Sequence, residues 1–320
     1  ALEQHQLRTF LAVAATGSLS RAAERLHIVQ PALSRQMRML EEEFGSRLFV
    51  RHARGMSLTD AGELLSEHAR RALRELDQAR TEIASLAGEV TGSVVLGMLP
   101  SVGGVLARTF TTRMRESCPR VALRVVSGGG GYLLKWLDTL EIDLAVVYEP
   151  SSPSHLDIRP LLEEPLHLIG PAAEAAALPA RVTMATLANL PLVLPSPQHA
   201  LRLLIDRAAA AAGVALTVVV EADSMEVQKE LVYSAIGWTV LPAAGLGHEA
   251  DSGRFCIREI AGPHLMRRLA LALPLRPKRP RSVDVAAEIL MREVRHLVDD
   301  NQWPGARLLP SSASNRSPSP

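Results

Sequence analysis

Four side chains between residues 30 and 38 are of the kinds that grip nucleic acid. Gln30, Ser34, Arg35 and Arg38 fall on one side of a helix if the segment is helical. Their donors suit phosphate oxygens and the acceptor edges of guanine and adenine in a major groove. On the opposite side Leu33, Met37, Leu40 and Phe44 are spaced 4, 3 and 4, a core-facing stripe. Taken alone, the segment also fits an ordinary amphipathic helix with a solvated polar face.

Other chemistry finds little support. None of the ten histidines pairs with another His, Cys or Asp at metal-ligand spacing, and Cys118 and Cys256 form no CxxC. Two buried, reduced thiols are the simplest reading of the cysteines. No Gly-x-Ser-x-Gly elbow or phosphate-binding loop occurs. Gly128-x-Gly130-x-x-Leu133 lacks the third glycine of a dinucleotide fingerprint. The chain reads as a non-enzyme with no metal and no cofactor.

The elements around residues 30–38 explain how such a face could be presented. Leu7, Phe10, Leu11 and Ala14 mark a first helix, stopped by Gly17. Ser18 or Ser20 can cap a second, short helix carrying Leu19, Ala22, Ala23 and Leu26. Pro31 suits the first turn of a third helix that runs to about Glu43. Arg51-His-Ala-Arg54-Gly55 then lies between two apolar turns, the layout of a winged helix-turn-helix. Arg51 and Arg54 would lie on the phosphates beside the groove. Residues 1–59 hold eight arginines against five glutamates, whereas the whole chain is only +1. Contact with double-stranded DNA is therefore expected to be local.

From Thr59 a long helix is expected, with Ala61, Leu65, His68, Ala72, Leu76, Ala79, Ile83 and Leu86 in a near-heptad stripe closed by Gly88. Such a stripe asks for a partner helix. After Gly92, short β-rich runs alternate with helices, which implies a parallel sheet with helices on both faces and, at this length, two subdomains. The final residues, rich in Ser and Pro, are expected to be disordered from Trp303 onward. The longest weakly polar run, 208–220, is too short to span a bilayer, and no signal-peptide pattern opens the chain. A cytoplasmic protein without a membrane partner is expected.

The run Phe10-Leu-Ala-Val-Ala-Ala-Thr-Gly-Ser-Leu-Ser-Arg-Ala-Ala-Glu-Arg-Leu-His, followed by Gln30-Pro-Ala-Leu-Ser-Arg-Gln-Met-Arg-Met-Leu-Glu-Glu-Glu-Phe-Gly and Leu58-Thr-Asp-Ala-Gly62, resembles LysR-type transcriptional regulators. Cys118-Pro119, Leu140-Glu-Ile-Asp-Leu-Ala145 and Ile236-Gly-Trp-Thr-Val-Leu-Pro242 extend the resemblance. Leu99-Pro-Ser-Val-Gly103 and Leu194-Pro-Ser196 are similar to the nitrogen assimilation control branch.

The resemblance implies an α/β fold class: an all-α winged helix-turn-helix over 1–58, a linker helix over 59–88, and a periplasmic-binding-protein-like effector domain over 92–302. Subdomain I would comprise 92–161 and 267–302, and subdomain II 162–266. It implies a homodimer or homotetramer on a dyad promoter site, with RNA polymerase as a further partner, acting as activator or repressor. The expected DNA-binding residues are Gln30, Pro31, Ser34, Arg35, Arg38, Arg51 and Arg54.

A small polar or anionic effector would meet Ser101, Val102, Gly129, Gly130, Tyr148, Ser196, His199 and Thr239. Helix capping is the competing role for Ser101. The sequence departs from the family at Val29, where a capping serine is usual, and in the glycines at 128–131, where an acidic residue, one glycine and a hydroxyl are common. The missing hydroxyl in that loop and the similarity to the nitrogen assimilation control branch leave open an effector-independent regulator whose C-terminal domain serves only assembly.

Overall fold

A computed structural model describes residues 2–52, 55–85, 89–150, 155–261, 265–276 and 278–310. The chain forms two compact bodies, one ending near Glu89 and the other beginning at Val90.

In the first body, α1 (Gln4–Thr16), α2 (Leu19–Leu26) and α3 (Gln30–Phe44) precede a two-stranded wing, β1 (Phe49–His52) and β2 (Gly55–Leu58), and the long α4 (Asp60–Ser85). The helical spacings converge on one core around Phe10, Val13, Ala22, Leu33 and Leu40, all fully buried or nearly so. The turn after α1 needs Gly17 in the left-handed region, at φ 60°. The wing closes onto this turn: Met56 N–H donates to the Gly17 carbonyl at 2.9 Å, and a Cβ on Gly55 would lie 2.5 Å from the same oxygen. Phe44 departs from the expected core stripe. It ends α3 beside the cap at Gly45 and is 44% exposed, because no element covers that last turn.

In the second body, β3 (Gly92–Met98), α5 (Pro100–Ser117), β4 (Val121–Ser127), α6 (Gly130–Asp138) and β5 (Leu144–Tyr148) form a right-sized α/β lobe. The chain then crosses on β6 (Leu156–Pro171) and builds a second lobe. That lobe contains β7 (Arg181–Val182), α7 (Met184–Ala188), β8 (Leu192–Leu194), α8 (Ala200–Ala211), β9 (Val218–Glu221), α9 (Met225–Tyr233), β10 (Thr239–Pro242) and β11 (Phe255–Ile260). The return strand β12 (Met266–Pro274) leads to α10 (Arg281–Asp299) and the short β13 (Arg307–Leu308).

Two separate cores result. One gathers residues such as Leu96, Leu106, Leu144, Leu271 and Leu290, the other Leu168, Leu194, Ile205, Trp238 and Val240. The expected all-parallel sheet is corrected. β3 pairs in parallel with β4 and β5, and β8 with β9, but the crossing strands pair antiparallel: β6 with β10, β11 and β12, and β12 with β5. A chain that crosses between lobes and comes back must run its two connecting strands in opposite directions.

The expected start of a disordered tail at Trp303 is also corrected. Trp303 is 1% exposed, and β13 pairs with β6 at Glu163 and Leu162. Residues 311–320 lie outside the described residues, as do Leu86 and Gly88 of the linker stripe.

Candidate functional site

Helix α3 opens at Val29, whose side chain makes no cap, and its first turn holds no acidic residue. The positive end of its dipole is thus left for an anion such as phosphate. Gln30, Pro31, Arg35 and Arg38 are exposed along it and Ser34 is partly buried, while Leu33, Met37 and Leu40 are buried beneath. Arg38 approaches Glu42 only at 3.9 Å, with both side chains about 70% exposed, so the contact leaves its guanidinium accessible.

Arg51 is exposed on β1. Arg54 lies outside the described residues. The wing's position relative to α3 is fixed by Glu41, whose carboxylate accepts the N–H groups of Leu48 at 2.8 Å and Phe49 at 3.3 Å. On α4, the first part of the sequence stripe packs on the core of the first body, with Leu65 buried and Ala61 half-buried, and the rest is uncovered: His68, Ala72 and Ala79 are exposed, and Leu76 and Ile83 are 47% and 69% exposed.

In the second body, four strand-to-helix turns face one cleft: Leu99–Ser101, Gly129–Gly131, Pro195–His199 and Asp223–Met225. This is where open α/β sheets bind ligands, outside the carboxyl ends of parallel strands. The cleft has a small inner cavity of about 70 Å³ and a wider outer groove of about 820 Å³.

Its floor is built on the crossing strands. Arg267 on β12 lies in register with Glu164 on β6, and both side chains are essentially unexposed. Arg267 Nε and Nη2 donate to Glu164 Oε1 at 2.9 and 2.6 Å, Nη2 also to Ser101 Oγ at 2.9 Å, and Nη1 to the Tyr148 hydroxyl at 3.3 Å. The other oxygen of Glu164 accepts the Trp303 indole N–H at 3.0 Å. Burial opposes the charge on Arg267, but the Glu164 carboxylate, with Tyr148, more than offsets it and leaves the guanidinium pKa raised.

The structure places each expected effector residue. Ser101 is buried at the cavity wall. It sits in the second position of α5, whose cap is Leu99, so it does not cap the helix. Gly129 and Gly130 line the groove, Gly129 reaching the cavity as well. Tyr148 stands between cavity and groove with its ring edge-on to His199, 6.4 Å between centroids. Ser196 lines the groove and donates its N–H to Asp223 Oδ1 at 2.8 Å. His199 lines both, and its Nδ1 accepts the Leu201 N–H at 3.2 Å, which puts the proton of the neutral ring on Nε2. Burial pushes the His199 pKa down despite nearby Asp223.

Two expectations are corrected. Val102 is fully buried and points into the first lobe's core, since its helical position is turned away from the cleft. Thr239 is also fully buried and lines neither space; its hydroxyl donates to Gln228 Oε1 at 3.0 Å, and Gln228 is the residue at the cavity wall. Sequence reasoning missed Gln228, Asp223 and Arg267, each of which looked like an ordinary polar residue in its own segment.

Residues 4–63 match the bacterial regulatory helix-turn-helix protein model of the lysR family, and residues 87–295 match the LysR substrate binding domain. This chain belongs to the LysR family of transcriptional regulators. The LysR chain is 32% identical to the HTH-type transcriptional regulator BbuR of Bordetella bronchiseptica, over 95% of this chain and 94% of that one. It is 30% identical to the nitrogen assimilation regulatory protein nac of Escherichia coli, over 93% and 97%. Full-length OxyR from Pseudomonas aeruginosa has a similar structure at 25% identity, with a TM-score of 0.67 and coverage of 92% and 95%. CbnR, solved with its target DNA, shares the fold at a TM-score of 0.72 and 20% identity, covering 91% and 100%. This LysR regulator is thus a DNA-binding transcription regulator with an effector-binding domain. Among the described residues no helix is long and apolar enough to cross a membrane.

Proposed function

We propose that this regulator binds a dyad promoter site as a homo-oligomer, paired through α4, and that a small molecule in the effector cleft changes its action on transcription. The observation that carries the reading is the state of two helices in the first body. The polar face of α3 is uncovered above a packed core, and α4 leaves Leu76 and Ile83 exposed at a seven-residue interval. An isolated apolar stripe of that period is stabilised by a second copy.

In this reading Gln30, Pro31, Ser34, Arg35 and Arg38 enter the major groove, while Arg51 and Arg54 hold phosphates. RNA polymerase is then the partner through which the bound oligomer acts, in the cytoplasm. Ser101, Gly129, Gly130, Tyr148, Ser196 and His199 contact the effector.

A second reading, regulation without an effector, is favoured by one observation. Arg267 already donates to Glu164, Ser101 and Tyr148, so the cation at the cleft floor is engaged without a ligand.

Footprinting on the DNA flanking the regulator's own gene, at fixed salt, tests the proposal. Protection of two half-sites about one helical turn apart is expected, and Arg35→Ala should weaken it by about 1–3 kcal/mol in a sequence-dependent way. An Arg35→Ala protein that protects the same site as tightly as the parent refutes the assignment of the reading face.

A further inference from the structure

The two walls of the cleft differ in charge, and the difference bears on what the cleft can hold. Arg267 is the obvious receptor for an anion, yet it is already engaged. Its charge is neutralised by Glu164, and three of its nitrogens donate to Glu164, Ser101 and Tyr148. The buried Arg267–Glu164 pair therefore adds no net charge to the cavity.

What the first lobe still offers is donors without a full charge. The Ser101 hydroxyl accepts from Arg267 and keeps its own hydrogen to give. Beside it, α6 starts at Gly130 with no acidic residue in its first turn, and Gly129 to Gly131 bring bare backbone to the groove wall. A carboxylate is the group such a wall receives best.

The second lobe's wall carries the opposite sign. Asp223 lines both the inner cavity and the groove and is itself exposed. Hydrogen bonds from Ser196 hold its carboxyl below the usual range, so it is ionised near neutrality. Those bonds take up only part of a carboxylate's roughly four acceptor positions. The nearest titratable neighbour, His199, is kept neutral by burial, and the groove's other charges, Lys135 and Glu149, are of opposite sign to each other. A ligand with only negative groups would set one of them against Asp223. A ligand with only a positive group would leave the donors of the first lobe unmatched.

Resting on the reading of this cleft as an effector site, we infer that its ligand is a zwitterion of amino-acid type, with the carboxylate held at Ser101 and Gly129–Gly131 and the ammonium held by Asp223. The inner cavity of about 70 Å³ suits a compact head group, and the groove of about 820 Å³ leaves room for a side chain.

The test is calorimetric titration and thermal melting of the full chain with probe pairs that differ only in the amino group. Suitable pairs are L-alanine and L-lactate, L-serine and glycerate, and L-glutamate and 2-hydroxyglutarate. At least one amino acid should bind saturably and raise the melting temperature while its hydroxy partner does not. Asp223→Asn keeps an oxygen for the Ser196 N–H but loses the charge, and should weaken the amino acid at least tenfold. Binding of the hydroxy acids alone, or an amino-acid affinity that Asp223→Asn leaves unmoved, overturns the zwitterion and keeps the effector reading. A protein that responds to neither series overturns the zwitterion and counts against the effector reading itself.

Discussion

Replacing Glu164 by Gln should destabilise the effector domain far more than a surface charge change would. Glu164 and Arg267 are 0% and 1% exposed, 2.6 Å apart, and they tie the outgoing strand β6 to the returning strand β12. Removing one partner of such a pair strands the other charge in a medium that cannot solvate it, at a cost of about 3–5 kcal/mol. For a body of this size each kcal/mol lowers the melting temperature by roughly 2–4 °C, so a drop of about 6–20 °C is expected. Arg267→Met should cost a similar amount. The double variant should not cost the sum, because with both charges gone no unpaired charge stays buried and the amide oxygen can still accept the Trp303 N–H, and neutral replacements of buried pairs are often tolerated. The three tryptophans, Trp136, Trp238 and Trp303, all lie in the effector body, so intrinsic fluorescence during urea unfolding reports on it alone. Simple additivity of the two single effects would refute the view that this pair acts as one electrostatic unit.

Two further outcomes follow from the packing and from the histidines. Gly170 lies against the Trp238 ring, with a Cβ placed 2.2 Å from two ring carbons, and the ring is pinned by its indole N–H to Glu174. Gly170→Ala should cost about 1–3 kcal/mol by overpacking, read as a shift in the urea midpoint and partly relieved by Trp238→Leu. The imidazoles of His167 and His199 both have pKa values lowered chiefly by burial. The unfolded chain then binds more protons between the folded and the ordinary value, so stability is full above about pH 6.5 and falls as pH drops through the folded values. Urea midpoints at pH 7.5 and 5.5 should differ in the parent and converge in a His167→Asn/His199→Asn variant.

The reading end of the molecule was legible because its signals are local. Helix spacing, Gly17 and Pro31 mark α1 to α3 within a few residues of their observed ends, and the polar face follows from the same spacing. The strand-to-helix turns of the effector domain were legible for the same reason, and with them Ser101 and His199. The first part of the crossing strand β6, residues 156–165, was not. Pro160 and Pro165 break its apolar run, and proline inside a segment argues against a strand. The structure accommodates them at a register shift between Leu269 and Ala270 and at the point where the strand passes from one lobe to the other. Arg267 and Glu164 stand more than a hundred residues apart, and only the antiparallel register of β6 and β12 brings them together. Trp303, followed by Pro304 and Gly305, looked like the start of a tail. Its burial depends on an acceptor at Glu164 that no local pattern reveals.

The floor and the walls of the cleft have different relations to motion between the lobes. Ser101, Tyr148 and Trp303 belong to the first lobe or its C-terminal extension and all meet at the Arg267–Glu164 pair on the crossing strands, so a change in opening that moves the lobes as rigid units would leave that network whole. Asp223, Ser196 and His199 belong to the second lobe, and their spacing from Ser101 and Gly129–Gly131 changes as the lobes move. A ligand held on one wall alone binds every opening equally and shifts nothing. One held on both walls gains its second set of contacts only at one separation, and each factor of ten in that preference biases the lobes by about 1.4 kcal/mol. Two-walled binding, more than tight binding, is therefore the property by which a ligand of this domain could act on the DNA-binding helices.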